Sequence, residues 1–190
     1  MATAELERSA AEAHSLRRFW RAWLCAYTTV WTMTLGIALV VAASAGLLKT
    51  PLSQLIGARL DPQLYPPPQI GHVLLRAAHN FPIEAWPVLL GVAGAHRHPL
   101  TRRAADVLVA ACVTMNVGLV ASALGAYGLA LVPYVPQLPL EWAGLALGTS
   151  CWLLQRRQAL TRREGLVCVL VIACAVLAAS GVESVVAPHR

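Results

Sequence analysis

Three stretches of the chain contain no aspartate, glutamate, lysine, arginine or histidine: Ala22–Leu48, Val107–Leu140 and Gly165–Val182. A helix needs about 20 predominantly apolar residues to cross roughly 30 Å of hydrocarbon. The first two runs exceed that length and the third just reaches it. The composition agrees, with 57% hydrophobic and 13% charged residues, where soluble domains carry about 25% charged. The mean hydropathy is +0.60. No polar stretch is long enough for a second fold, so residues 1–190 are read as one membrane domain.

The formal net charge of +6 could suggest nucleic acid, but the positions of the charges exclude it. Arg8, Arg17, Arg18 and Arg21 precede the first apolar run; Arg97, Arg102 and Arg103 lie before the second; Arg156, Arg157, Arg162 and Arg163 lie before the third. If five spans alternate, these eleven of the 15 basic residues fall on one side. Lys49, Arg59, Arg76 and Arg190 fall opposite. By the positive-inside rule this predicts a multi-pass protein of the plasma membrane, N-terminus cytoplasmic and C-terminus outside. The basic clusters are expected to touch anionic lipid of the bilayer.

The predicted fold is an all-α, polytopic helical membrane bundle of about five spans. These are residues 22–48, 70–95, 104–128, 138–154 and 165–186, after a basic cytoplasmic segment 1–21. Residues 49–71 form an outer loop, in which Leu52–Leu60 predicts a short interfacial helix. The second span carries Pro82 and Pro87, each lacking a backbone donor, which predicts a broken helix. Pro133, Pro136 and Pro139 recur between the third and fourth spans, and so predict a wet outer loop or a re-entrant turn buried by protein. Ala42/Gly46, Ala121/Gly125 and Gly144/Gly148 are small pairs at four-residue spacing, which allow close helix contact.

The second span also holds the costliest residues. Arg76, Asn80 and Glu84 are four apart and share a helix face, with His79 on its flank. Glu141 and Glu183 are predicted at similar depth, and Asn116 lies near the middle of the third span. A charge at the bilayer centre costs roughly 2.5–3.5 kcal/mol on insertion scales, so a paired cluster is expected, with Arg76 the nearest partner of Glu84 in sequence. Such a cluster pins helices together, lines a cavity for something polar, or consists of residues that snorkel to the headgroups, which is easiest for Arg76 and Glu183.

Catalytic patterns are poor. There is no HExxH or GxSxG, and Ala179-Ser180-Gly181 lacks the glycine two residues before its serine. No metal site or cofactor is predicted. Cys25, Cys112, Cys151, Cys168 and Cys174 all lie in apolar runs without CxxC spacing, and are read as small core hydrophobes.

The order of motifs carries a resemblance. His79-Asn80 opens the second span and Gly91 follows; then come Asn116-Val117-Gly118, Gly125-Ala126-Tyr127-Gly128, Pro139-Leu140-Glu141 leading into Trp142-Ala143-Gly144, and finally Ala178-Ala179-Ser180-Gly181-Val182-Glu183 with Pro188. Taken together, Leu74 to Pro188 resembles the stage II sporulation protein M family of integral membrane proteins. One departure is that Gln137-Leu138 stands where the family usually has histidine and glycine. The resemblance implies a non-enzymatic scaffold holding envelope proteins; in endospore formers these are peptidoglycan-degrading. It marks Asn80, Gly91, Asn116, Gly118, Glu141 and Glu183 as family-like positions, with Gly125 and Pro139 as structural ones. Other membrane proteins or further copies of the chain are the partners such a scaffold takes. The alternatives are a transport or channel subunit using the polar cluster and, more remotely, an intramembrane hydrolase built on Ser180.

Overall fold

The structure, a computed structural model, describes residues 2–48, 69–128, 131–132 and 135–186. Among them are five α-helices and no strand: α1 (Ala2–Leu48), α2 (Ile70–Val92), α3 (Pro99–Tyr127), α4 (Leu138–Arg156) and α5 (Arg162–Val186). A single 3-10 turn, Ala95–Arg97, joins α2 to α3.

Local chemistry sets the ends. Thr161 and Glu164 form a capping box before α5: the Thr161 amide and hydroxyl both donate to Glu164 Oε2 at 2.7 Å, and the Glu164 amide donates back to Thr161 Oγ1 at 3.3 Å. Pro99 starts α3, where a missing donor costs nothing, and His98 Nδ1 accepts from the Leu100 amide at 3.3 Å. Gly94 leaves α2 in the left-handed region at φ 86, a conformation open to glycine without a Cβ penalty.

Helix α4 is the axis of the bundle. It packs against α1, α2 and α5, while α2 also packs on α5 and α1 on α3. Each of the three apolar clusters includes α4: Leu147 and Cys151 with Ala85, Val88, Ile172 and Val176; Trp142 and Leu145 with Val30 and Val117; Trp152 with Ala105 and Val109. On α1 the rings of Phe19, Trp20, Trp23, Tyr27 and Trp31 form a continuous ladder, and Trp23 Nε1 donates to the Ala143 carbonyl at 3.2 Å.

Among the described residues three helices are long and apolar enough to cross a membrane: α1 over Ser15–Ser44, α3 and α5. Helices α2 and α4 fall short of the expected five. Arg76, His79 and Glu84 lower the hydropathy of the first, and α4 has only 19 residues, Glu141, Gln155 and Arg156 among them. Both are held by other helices: twelve residues of α4 are buried. A surrounding of protein rather than lipid relaxes the demand for an oily surface.

The prolines correct the expectation of a broken second span. Helix α2 runs without interruption through Pro82 and Pro87. Each ring removes one backbone bond, and its fixed φ is already close to helical. The flanking turns are gripped by α4 and α5, with Pro87 itself fully buried. Helix α1 is also continuous, running from Ala2 into the first apolar run without a break. The outer loop through Pro68, its Leu52–Leu60 helix, and residues 133–134 of the proline-rich turn lie outside the described residues.

A polar cavity at one end of the bundle

The helices alternate in direction, which sorts the charges by end. Asp106 at the start of α3 meets Arg156 at the end of α4 at 2.9 Å, and Ala22 of α1 shares a cleft with Arg157. The arginine clusters therefore gather at one end. At the opposite end the starts of α2 and α4 and the end of α5 leave a cavity of about 760 Å³. Its polar lining is Arg76, His79, Asn80, Gln137, Glu141 and Glu183.

Five of the seven residues expected in one polar cluster are thus brought together. Glu84 stands behind them and Asn116 does not join. Arg76 pairs with Glu183 of α5 at 3.4 Å rather than with Glu84. Residues 76 and 84 share a helix face but sit about 12 Å apart along the axis, beyond the reach of a direct ion pair. Asn116 Nδ2 donates to the Cys112 carbonyl one turn back at 2.8 Å, on a helix that barely touches α2.

Glu84 is 4% exposed, and its position is set by glycine. A Cβ at Gly144 would coincide with the Glu84 carboxylate, and a Cβ at Gly148 would strike the Glu84 backbone carbonyl. The Gly144/Gly148 pair is therefore the notch through which α2 and α4 approach, the reason small residues are favoured at membrane-helix contacts. Glu84 Oε2 is sealed from solvent and has no hydrogen-bond partner. Glu84 and Glu141 lie within electrostatic reach of each other, as do Glu141 and Glu183.

Of the other family-like positions, Gly91 is a close-approach glycine, its Cα side filled by Gln155. Gly125 packs on the Ala38 carbonyl of α1, whereas Gly118 has open space beside it. Pro139 stands in the first turn of α4. Ser180 is buried, and its Oγ makes no hydrogen bond to histidine or any other group.

Three features escaped the sequence reading. Gln137, 7% exposed, lines the cavity with an unpartnered Oε1. Gln155, 2% exposed, is clamped between Gly91 of α2 and Gly165 of α5, with neither amide atom bonded. Asp106 Oδ1 accepts from Trp152 Nε1 at 3.0 Å as well as from Arg156. All three acids and amides sit next to loops, where sequence alone reads a polar residue as solvated.

Compared with protein-family models, with characterised proteins and with solved structures, the chain finds no match.

Proposed function

We propose that the chain is a non-enzymatic integral membrane scaffold that binds its partners at the cavity end of the bundle. In this reading all five helices cross the membrane, α4 enclosed by its neighbours and α2 packed on α4 and α5. The arginine clusters face the cytoplasm and the cavity faces outward.

One observation carries the choice of binding over conduction. The cavity is blind. Below Glu84 the space among α2, α4 and α5 is filled by Ala85, Val88, Leu147, Cys151 and Ile172, all buried and apolar. A polar recess closed by such a plug holds a ligand or a partner segment; it offers no polar path onward. The resemblance to the stage II sporulation protein M family supports the same reading, with cell-wall-remodelling proteins as the partner class it implies.

Affinity purification of the tagged chain in mild detergent, after brief crosslinking in intact cells, tests the scaffold. Reproducible recovery of envelope proteins is expected, and recovery of none rejects it. Thiol labelling of single cysteines placed at Arg97–Arg103 and Arg156–Arg163 tests the orientation, and labelling from outside the cell rejects it.

The second reading, a transport subunit, draws on the cavity itself. It requires the plug to open, and solute uptake into liposomes holding the purified chain would favour it.

A further inference from the structure

The lining of the cavity is rich in groups that accept hydrogen bonds. Glu141 and Glu183 supply carboxylates, and Gln137, nine-tenths buried, supplies an Oε1 bonded to nothing. Glu84 stands behind Glu141 with its own Oε2 unsatisfied. Against these three carboxylates the site holds one guanidinium, that of Arg76, which Glu183 engages at 3.4 Å. His79, Asn80 and the Gln137 amide nitrogen add donors of their own, but among the described residues of the site three acids face one guanidinium, so it is short of positive charge. Buried acceptors left without donors are costly, so the complementary ligand is a cation that carries N–H groups. Among the described residues no three His, Cys, Asp or Glu side chains are grouped to hold a metal ion. A cavity of about 760 Å³ instead has the size of an organic ligand site.

A neighbouring feature indicates how that cation is carried. An apolar groove of about 230 Å³ indents the outer face of α2 and α5, lined by Leu74, Ala77, Phe81, Ala173 and Val176. The groove and the cavity meet at Ala78, which borders both. Small side chains at 77, 78 and 173 form the indentation where larger ones would fill it. An acceptor-rich recess joined to an apolar channel on a lipid-facing surface is complementary to an amphiphile with a cationic head.

We propose that this composite site binds a membrane lipid whose head group ends in a primary ammonium. The ammonium donates to Gln137 Oε1 and the Glu141 carboxylate, and an acyl chain lies along the α2–α5 groove. The inference rests on reading the cavity as the binding site of the protein.

The test uses the full-length chain in detergent, with retained lipid measured by native mass spectrometry. The probes are phosphatidylethanolamine and phosphatidylcholine of identical acyl chains, because the choline head carries the charge without N–H donors. Charge-assisted hydrogen bonds of this kind correspond to about tenfold tighter retention of the ethanolamine lipid. Gln137→Leu and Glu141→Gln should each abolish that preference, whereas Asp106→Asn at the far end leaves it intact. Ala173→Phe, which fills the groove, should weaken retention of both lipids. Equal retention of the two lipids by the unaltered protein, or preference for an anionic phosphatidylglycerol, overturns the proposal. So does displacement of the lipid by free ethanolamine at equal concentration, since the groove would then contribute nothing. Thermal unfolding of each variant shows that it is folded; if Glu141→Gln is not, Gln137→Leu decides. A chain that recovers envelope partners but shows no head-group preference loses this inference alone. One with the preference and no partners keeps it and loses the scaffold.

Discussion

The carboxylate of Glu84 occupies the place where a side chain at Gly144 would begin. One turn further along α4, the backbone carbonyl of the same glutamate fills the place of a side chain at Gly148. The two contacts look alike, yet one partner can move and the other cannot.

That difference predicts two outcomes. In Gly144→Ala the Glu84 side chain can swing aside, so the loss of stability is about 1 kcal/mol and Glu84→Ala restores most of it. In Gly148→Ala the backbone carbonyl stays wherever α2 stays, so the helices must separate. The cost is about 1–3 kcal/mol, and Glu84→Ala restores none of it. Unfolding of the single and double variants in detergent measures both; equal rescue would show that the notch is not where the helices touch.

Gln155 is an amide held between Gly91 and Gly165 without a hydrogen bond. An unsatisfied buried polar group costs about 1–3 kcal/mol, while an apolar replacement of the same shape is neutral or stabilising. Gln155→Met is therefore expected to match or exceed the parent in thermal stability. Gly91→Ala, which displaces the side chain, should lower it, and Gln155→Ala in the same chain should recover part of the loss.

Asp106 has two donors of unequal weight. The pair with Arg156 is partly exposed, with side chains 39% and 27% accessible, and is worth less than about 1 kcal/mol. The bond from Trp152 serves a ring only 1% exposed. Arg156→Ala should then be nearly neutral, whereas Asp106→Ala strands a buried N–H and costs about 1–3 kcal/mol. Asp106→Asn keeps an acceptor at the same place and should behave like the parent. Unfolding midpoints in detergent order the three.

Cys151 of α4 and Cys168 of α5 are both buried in the same apolar cluster. A membrane-permeant oxidant should join them in a chain whose Cys25, Cys112 and Cys174 are replaced by alanine. The product is a single intramolecular disulfide, seen as a gel shift reversed by reductant and absent from Cys151→Ser. No crosslink would mean that α4 and α5 meet in a different register.

Periodicity revealed which residues share a face, and so placed Arg76, Asn80 and Glu84 together. It could not say which neighbour that face meets. Arg76 turned to Glu183, 107 positions away in the chain, because α2 and α5 run side by side in opposite directions. The glycine pair at 144 and 148 was visible as a small-residue notch, but in an alanine-rich chain nothing marked it above Ala42/Gly46 or named α2 as its occupant. Pro82 and Pro87 suggest breaks because the missing donors are local facts, while the grip of α4 and α5 is not. Gln137, Gln155 and Asp106 were hidden for a related reason. Proximity to a turn suggests solvent, and only the central place of α4 shows that polar groups at its two ends are enclosed.

Helix α1 has 47 residues without a break. At 1.5 Å of rise per residue it is about 70 Å long, more than twice the thickness of the hydrocarbon layer. Upright or tilted, it must protrude as a rigid mast. Because Trp23 ties it to α4, whatever grips the protruding length has a lever on the helix that all three apolar clusters share.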